Sequence, residues 1–358
     1  MPTSPVSANI GRVNWKRLAL IAVGIAAVAG TFVFFLPSLA SYADVWDVVQ
    51  TLSWPWIVAL LAATALNIAT FAPPWMIVLP GLRFWPALEV TQASTALSIV
   101  LPAGTAAGIA GSYGILRSWG FESRGVARGI TLVSLWNQFC NLLWPILAVF
   151  LLTAFGEQAA FLATAAFVGV AVLGILVAGF TVVMVSDSLA FDIGELAARV
   201  ANWFKRKIRR GPVAWGGPSF ERFRDEAGDL LRRRWAALTA ASLAGHLTVF
   251  LVLLTSLRAL DVPASQVNFE EAFAAWAFVR LIGTIPITPG DVGIVEFGLT
   301  SALIAFGGNN AGVVAAVLVY RFLTIVPTLL LGLITAGTWR RHRREPSADG
   351  GELTPEPE

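Results

Sequence analysis

Long apolar runs occupy residues 18–36, 54–79, 130–155, 159–185, 235–257 and 311–339, separated by stretches richer in charge, glycine or proline. Each meets or exceeds the roughly 18 apolar residues needed to cross a hydrocarbon core about 30 Å thick. Two further runs, 87–100 and 272–285, are too short to cross. Each stops at a proline- and glycine-rich break, residues 101–111 and 285–298, and then resumes as a second short apolar arm. An interrupted, short apolar run suits a half-spanning or re-entrant segment, whose freed backbone groups are satisfied by neighbouring protein or a water-filled cavity. The pattern therefore predicts an all-α integral membrane protein with about six full transmembrane helices plus two broken, re-entrant helical hairpins.

Composition strengthens that reading. Of the 358 residues, 56% are hydrophobic and 13% charged, with a mean hydropathy of +0.72, whereas soluble domains carry about a quarter charged residues. The formal net charge of +3 is small, and the basic residues are clustered. This excludes a nucleic-acid surface and marks topology instead. Arg12, Lys16 and Arg17 precede the first run, which is too long for a signal-peptide core and is expected to stay uncleaved. Arg83, Arg117, Arg124, Arg128, the basic stretch within 186–234 and Arg340, Arg341, Arg343 and Arg344 all fall on one side if the first break returns inward and the second outward. Both termini are then cytoplasmic in a multi-pass protein of the cell membrane. The expected organisation is a cytoplasmic segment at 1–17, a membrane domain at 18–339 with a cytoplasmic basic loop at 186–234, and a disordered cytoplasmic tail at 340–358. Within that loop, residues 196–208 carry Trp203, Phe204 and several bases, a pattern suited either to an anionic lipid surface or to a solvated topology anchor.

The two breaks align with each other. Pro102, Gly104, Gly108 and Ile109 match Pro289, Gly290, Gly293 and Ile294, and each break is followed by a long helix with an internal proline, Pro145 or Pro327. The charge count makes the halves an inverted repeat, the plan in which discontinuous helices point to a substrate site near the midplane. Ionisable residues in apolar segments are costly and call for a partner or a cavity. Here they are Arg280, Asp291, Glu296 and Arg321, the last following Tyr320. Glu296 and Arg321 are placed to pair, either around a phosphate or a proton or as a structural lock. Glu89, Gln92, Asn137, Gln138 and Asn141 read as interhelical glue, His246 as a satisfied buried histidine, and Cys140 as packing. There is no metal cluster, no nucleotide-binding loop and no catalytic signature, so neither a cofactor nor an enzyme activity is expected.

The stretches PITPGDVGIVEFGLTSALIAFG (286–307), VYRFLTIVPTLLLG (319–332) and LPAGTAAGIAGSYGILRSWG (101–120) resemble the flippase-like family named after the transmembrane region of lysylphosphatidylglycerol synthase. The sharpest element is Pro289, Gly290, Gly293 and Glu296 with the later Tyr320-Arg321. The best understood members of that family carry aminoacylated phosphatidylglycerol between leaflets, while many stand-alone members have no assigned substrate; the resemblance implies a lipid or lipid-linked glycan translocator whose partner is a phospholipid or polyprenyl-linked lipid. The repeat and the few intramembrane charges make Arg280, Asp291, Glu296, Tyr320 and Arg321 the expected substrate-binding residues, and Pro102, Gly104, Gly108, Pro286, Pro289, Gly290 and Gly293 are expected to shape the re-entrant breaks. The family's usual second glycine is Asp291 here, so a different headgroup is in view. The larger members' soluble synthase domain has no counterpart in this sequence, and lysyl-lipid synthesis is not expected. The rival expectation is a non-transporting scaffold for an envelope glycosyltransferase or lipid synthase, docking through the basic loop.

Overall fold

The computed structural model describes residues 42–101, 104–154, 160–207, 211–213, 216–284 and 289–338. The expected first helix at 18–36, the tail at 340–358, Pro102 and Pro286 lie outside the described residues. All regular structure within them is helical. After the short α1 (Tyr42–Gln50) comes α2 (Trp54–Thr70), which continues past a one-residue break into α3 (Ala72–Val78). Prolines at the first positions of α3 explain the break, because they donate no backbone hydrogen bond to the preceding turn.

Then follow α4 (Phe84–Val100), α5 (Thr105–Ser118), α6 (Ser123–Ala154), α7 (Ala160–Val185) and α8 (Asp187–Lys207). The chain ends its described part with α9 (Gly217–Ala259), α10 (Phe269–Ile282), a 3-10 turn at Pro289–Asp291, α11 (Ile294–Ala305) and α12 (Asn310–Thr338). Among the described residues, four segments are long and apolar enough to cross a membrane: Trp54–Val78, Ser123–Ala154, Gly217–Ala259 and Asn310–Thr338. The pair α7 and α8, bent by 103° between its arms, raises the count to five if it is taken as one span.

Two expected boundaries move. The stretch expected as a cytoplasmic basic loop at 186–234 is largely helical: α8 fills its first half, and α9 begins at Gly217, well before the apolar run at 235–257. Charge suppresses hydropathy there, yet Phe220, Phe223, Ala227 and Leu230 recur at helical spacing, and Phe223, Ala227 and Leu230 join the cluster that holds Trp119, Leu79 and Val126. At 43 residues α9 is about 64 Å long, roughly twice a hydrocarbon core. Helix α10 starts at Phe269, three residues ahead of its apolar run. Asn268 accepts from the Glu271 N–H while the Glu271 carboxylate accepts from the Asn268 N–H, both at 2.8 Å, and this reciprocal cap sets the start.

The core divides into two clusters. One joins α2, α6, α9, α10, α11 and α12 around Trp144, Phe250, Phe273 and Trp276; the other joins α3, α4, α5, α6 and the first half of α9. The two broken hairpins, α4 with α5 and α10 with α11, pack reciprocally. In each, the first arm lies against the long helix of the other half, α4 on α12 and α10 on α6, while the second arm lies against its own, α5 on α6 and α11 on α12. The prolines Pro145 and Pro327 sit inside those long helices. Glycines allow the close approaches: a Cβ on Gly332 of α12 would lie 2.5 Å from Ala96 Cβ of α4.

Candidate functional site

The second break is built from left-handed backbone. Gly290, Asp291 and Gly293 have φ of +62°, +57° and +90°, a region open to glycine and costly for most other residues. This reverses the chain after α10 and presents the N-terminus of α11. Gly104, with φ +45°, plays the same part immediately before α5. The structural match across the halves is therefore Gly104 with Gly293, both capping a second arm, rather than Gly104 with Gly290. Gly108, expected in the first break, sits inside α5, where a Cβ would come within 2.7 Å of the Ser94 carbonyl oxygen of α4. It is a packing glycine.

Glu296 and Arg321 do pair. Arg321 Nε donates to Glu296 Oε1 at 2.6 Å, Glu296 Oε2 accepts from the Gly293 N–H at 2.7 Å, and Arg321 Nη2 donates to the Gly290 carbonyl at 2.9 Å. Glu296 is 0% exposed and stands in the first turn of α11, where the helix dipole favours a carboxylate. The arrangement ties α12 to the break and to α11. Two of the three guanidinium nitrogens of Arg321 are thereby committed to protein, which makes this residue a holder of the break more than a surface offered to a ligand. Tyr320, 5% exposed, is buried in the first core cluster.

Arg280 differs. It lies in the last turn of α10, its Nε donates to Asn141 Oδ1 of α6 at 3.0 Å, and its guanidinium carbon stands 5.6 Å from the centroid of the Trp276 ring. Among the described residues its two terminal nitrogens have no hydrogen-bond partner, while one edge and one face of the group are held. Asn141 is itself oriented by donating to Gln138 Oε1 at 3.0 Å. Two of the amides expected as glue, Asn141 and Gln138, thus join α6 to α10 by holding a cation. Asp291 faces the end of α10: its Oδ2 would be 3.4 Å from a Cβ on Gly283, one turn beyond Arg280. Its half-buried carboxylate has no hydrogen bond or ion pair among the described residues, although Arg280 and Arg321 both lie within electrostatic range.

The second break meets the C-terminal end of α4. A Cβ on Gly290 would be 3.0 Å from Ile99 Cγ2, two residues before α4 gives way to the first break. Asp291 follows Gly290 directly at that contact, with Arg280 within electrostatic range of it. His246, 1% exposed, is satisfied on both sides. Trp144 Nε1 donates to its Nδ1 at 2.9 Å, and because an indole N–H only donates, the proton sits on Nε2, which donates to Asn137 Oδ1 at 2.7 Å. This neutral imidazole fastens α9 to α6. Cys140 is buried and unpaired, and no cluster of three or more metal-ligating groups exists among the described residues.

Sequence reasoning found the ion pair and the breaks but missed the cradle of Arg280. Trp276, Arg280 and Asn141 are each ordinary in sequence; the spacing of Trp276 and Arg280, one helical turn apart, is the signal that was available.

A multi-pass helical membrane protein, with a charged junction between two broken hairpins, is the class these features define. Residues 19–332 match the lysylphosphatidylglycerol synthase transmembrane region, and the chain belongs to that family. This places it among membrane proteins of lipid or envelope-related processes. No curated protein matches the chain.

Proposed function

We propose that the protein moves a lipid, or a lipid-linked glycan, carrying a phosphate in its headgroup between the leaflets of the cell membrane. The observation that carries this reading is Arg280: a guanidinium held by Asn141 and Trp276, both of whose terminal nitrogens lack a hydrogen-bond partner among the described residues, near the point where the second break touches the end of α4. Those nitrogens match two phosphate oxygens in a fork geometry. Asp291 stands near enough to take a cationic headgroup substituent or a proton. Glu296 and Arg321 position the break, with Tyr320 packed beneath them. The reciprocal packing of the hairpins supports an inverted repeat whose breaks open from opposite faces, as alternating access requires, with both termini cytoplasmic. A phospholipid and a polyprenyl-linked lipid share the phosphate and remain alternatives for the experiment.

The test is leaflet accessibility of fluorescent phospholipids and polyprenyl-phosphate lipids in liposomes containing the purified protein. Arg280→Ala removes hydrogen bonds to a charged group worth about 1.5–3 kcal/mol, so movement is expected to fall roughly 10- to 100-fold with folding retained. Arg321→Ala instead strands the Glu296 carboxylate, at about 3–5 kcal/mol, and should lower the unfolding temperature first. Wild-type transport by folded Arg280→Ala would remove the site.

A second reading has one observation in its favour: the Glu296 and Arg321 pair is satisfied inside the fold and asks for no ligand. Under it the protein is a scaffold for an envelope glycosyltransferase or lipid synthase, and the wild-type protein moves no lipid at all.

A further inference from the structure

Helix α8 has three distinct faces. Ala190, Gly194 and Ala198 form a small-residue face packed on the start of α9; a Cβ on Gly194 would lie 2.9 Å from both the Gly216 carbonyl oxygen and Phe220 Cβ. Glu195 Oε1 accepts from the Gly217 N–H at 3.0 Å and so caps α9, and Asn202 Oδ1 accepts from the Val213 N–H at 2.7 Å. Asp192, Glu195, Arg199 and Arg206 make a polar face. The third face is Leu189, Ile193, Leu196, Val200 and Trp203, spaced by four, three, four and three residues, exposed by 39%, 39%, 56%, 49% and 48%. At about 100° per residue the three faces each take about a third of the helix circumference.

An apolar stripe that the fold itself leaves open needs another cover. Three observations decide which. The stripe follows a helix, α7, that is apolar along its whole length and whose side chains at Ile175, Leu176, Val177 and Val182 are themselves exposed, as a lipid-facing span requires. The two arms are bent by 103°, so that if α7 runs across the bilayer α8 runs along its plane. And the stripe ends at Trp203 beside Lys205 and Arg206, with Lys207, Arg209 and Arg210 next in sequence. An aromatic residue at the rim of an apolar stripe with bases clustered beside it is the chemistry of an interfacial helix on an anionic leaflet.

We propose that α8 lies in the headgroup region of one leaflet, with Leu189, Ile193, Leu196, Val200 and Trp203 in the acyl chains and its basic C-terminal end on anionic lipid headgroups. The helix then fixes the depth of the long α9 that it caps. Transport is not required for this, and its test stands apart from the transport assay.

The experiment uses the full chain in a Cys140→Ala background, reconstituted into nanodiscs of phosphatidylcholine with or without phosphatidylglycerol. Nitroxide labels are placed on the stripe through Leu196→Cys or Val200→Cys, and on the polar face through Asp192→Cys or Arg199→Cys, all at exposed positions where folding is preserved. Collision with oxygen and with a water-soluble nickel chelate is then read. The expected result is stripe labels several-fold more accessible to oxygen and protected from nickel, the polar-face labels showing the reverse. Protection at Val200→Cys should drop several-fold without phosphatidylglycerol, or when Lys205→Gln and Arg206→Gln are combined. Equal nickel access on both faces overturns the proposal, as does protection indifferent to anionic lipid and to the two bases. Spin–spin broadening at Leu196→Cys that vanishes on dilution with unlabelled protein also overturns it, since a second copy then covers the stripe.

Discussion

Asp291 occupies a left-handed position, φ +57°, between two left-handed glycines. Aspartate enters this region more readily than most residues because its short side chain can bond locally, yet its carboxylate makes no hydrogen bond among the described residues. The conformation is held by the surroundings, chiefly by Arg321 gripping the Gly290 carbonyl. Strain retained without local compensation is a feature of functional sites, and the inference runs from the observed outlier to a role for the side chain. A series at this position separates backbone from chemistry. Asp291→Gly relieves the strain and Asp291→Ala does not, so thermal unfolding in detergent should rank glycine above alanine by about 1 kcal/mol. Equal stabilities would mean that the backbone does not need the left-handed conformation. The family's glycine at this place is thus accounted for by geometry, and the aspartate is an addition to it.

At the scale of elements, glycine does two jobs that composition cannot tell apart. Gly104 and Gly293 start the second arms with positive φ, whereas Gly108, Gly298 and Gly332 lie inside helices and permit close packing. In α5 the difference is measurable within one helix. A Cβ on Gly108 would meet Ser98 Oγ at 2.1 Å and the Ser94 carbonyl oxygen at 2.7 Å, while Gly114 has nothing within 4 Å. Gly108→Ala should therefore cost about 1–3 kcal/mol through the forced separation of α4 and α5, and Gly114→Ala should be neutral or gain up to about 1 kcal/mol of helix propensity. Thermal unfolding of the two variants checks the ordering; a Gly108→Ala protein as stable as Gly114→Ala would contradict this packing. The breaks were legible in sequence because proline and glycine interrupt a hydrophobic run whatever the tertiary context. The N-terminal half of α9 was not, because hydropathy averages its charges with its buried face, although the spacing of Phe220, Phe223, Ala227 and Leu230 preserved the helical period. Nor could the role of Asn141 be read: an amide in a membrane helix bonds across to whatever faces it, and only the docking of α10 on α6 brings Arg280 there.

For the whole molecule, the proposed transport makes the contact between the end of α4 and the second break the place to look for motion. If a headgroup passes between them, Ile99 and Gly290 must part during the cycle, since their present contact leaves no room for it. A Cβ on Gly290 would be 3.4 Å from Ile99 Cβ, just short of the usual separation of about 3.5–4.5 Å for a disulfide, so that a small parting of the two segments brings the pair into range. In a Cys140→Ser background, Ile99→Cys with Gly290→Cys should cross-link under mild oxidation, at a cost of about 1 kcal/mol for a non-glycine residue at φ +62°. Lipid movement should stop in the oxidised protein and return with reductant, while either single variant moves lipid in both states. Undiminished movement through the cross-linked protein would show that the breaks need not separate, and the route would then have to lie outside their junction, along the lipid-facing sides of the long helices. That outcome would also detach Arg280 from the path, because its terminal nitrogens reach a phosphate only where the second break and α10 stand together.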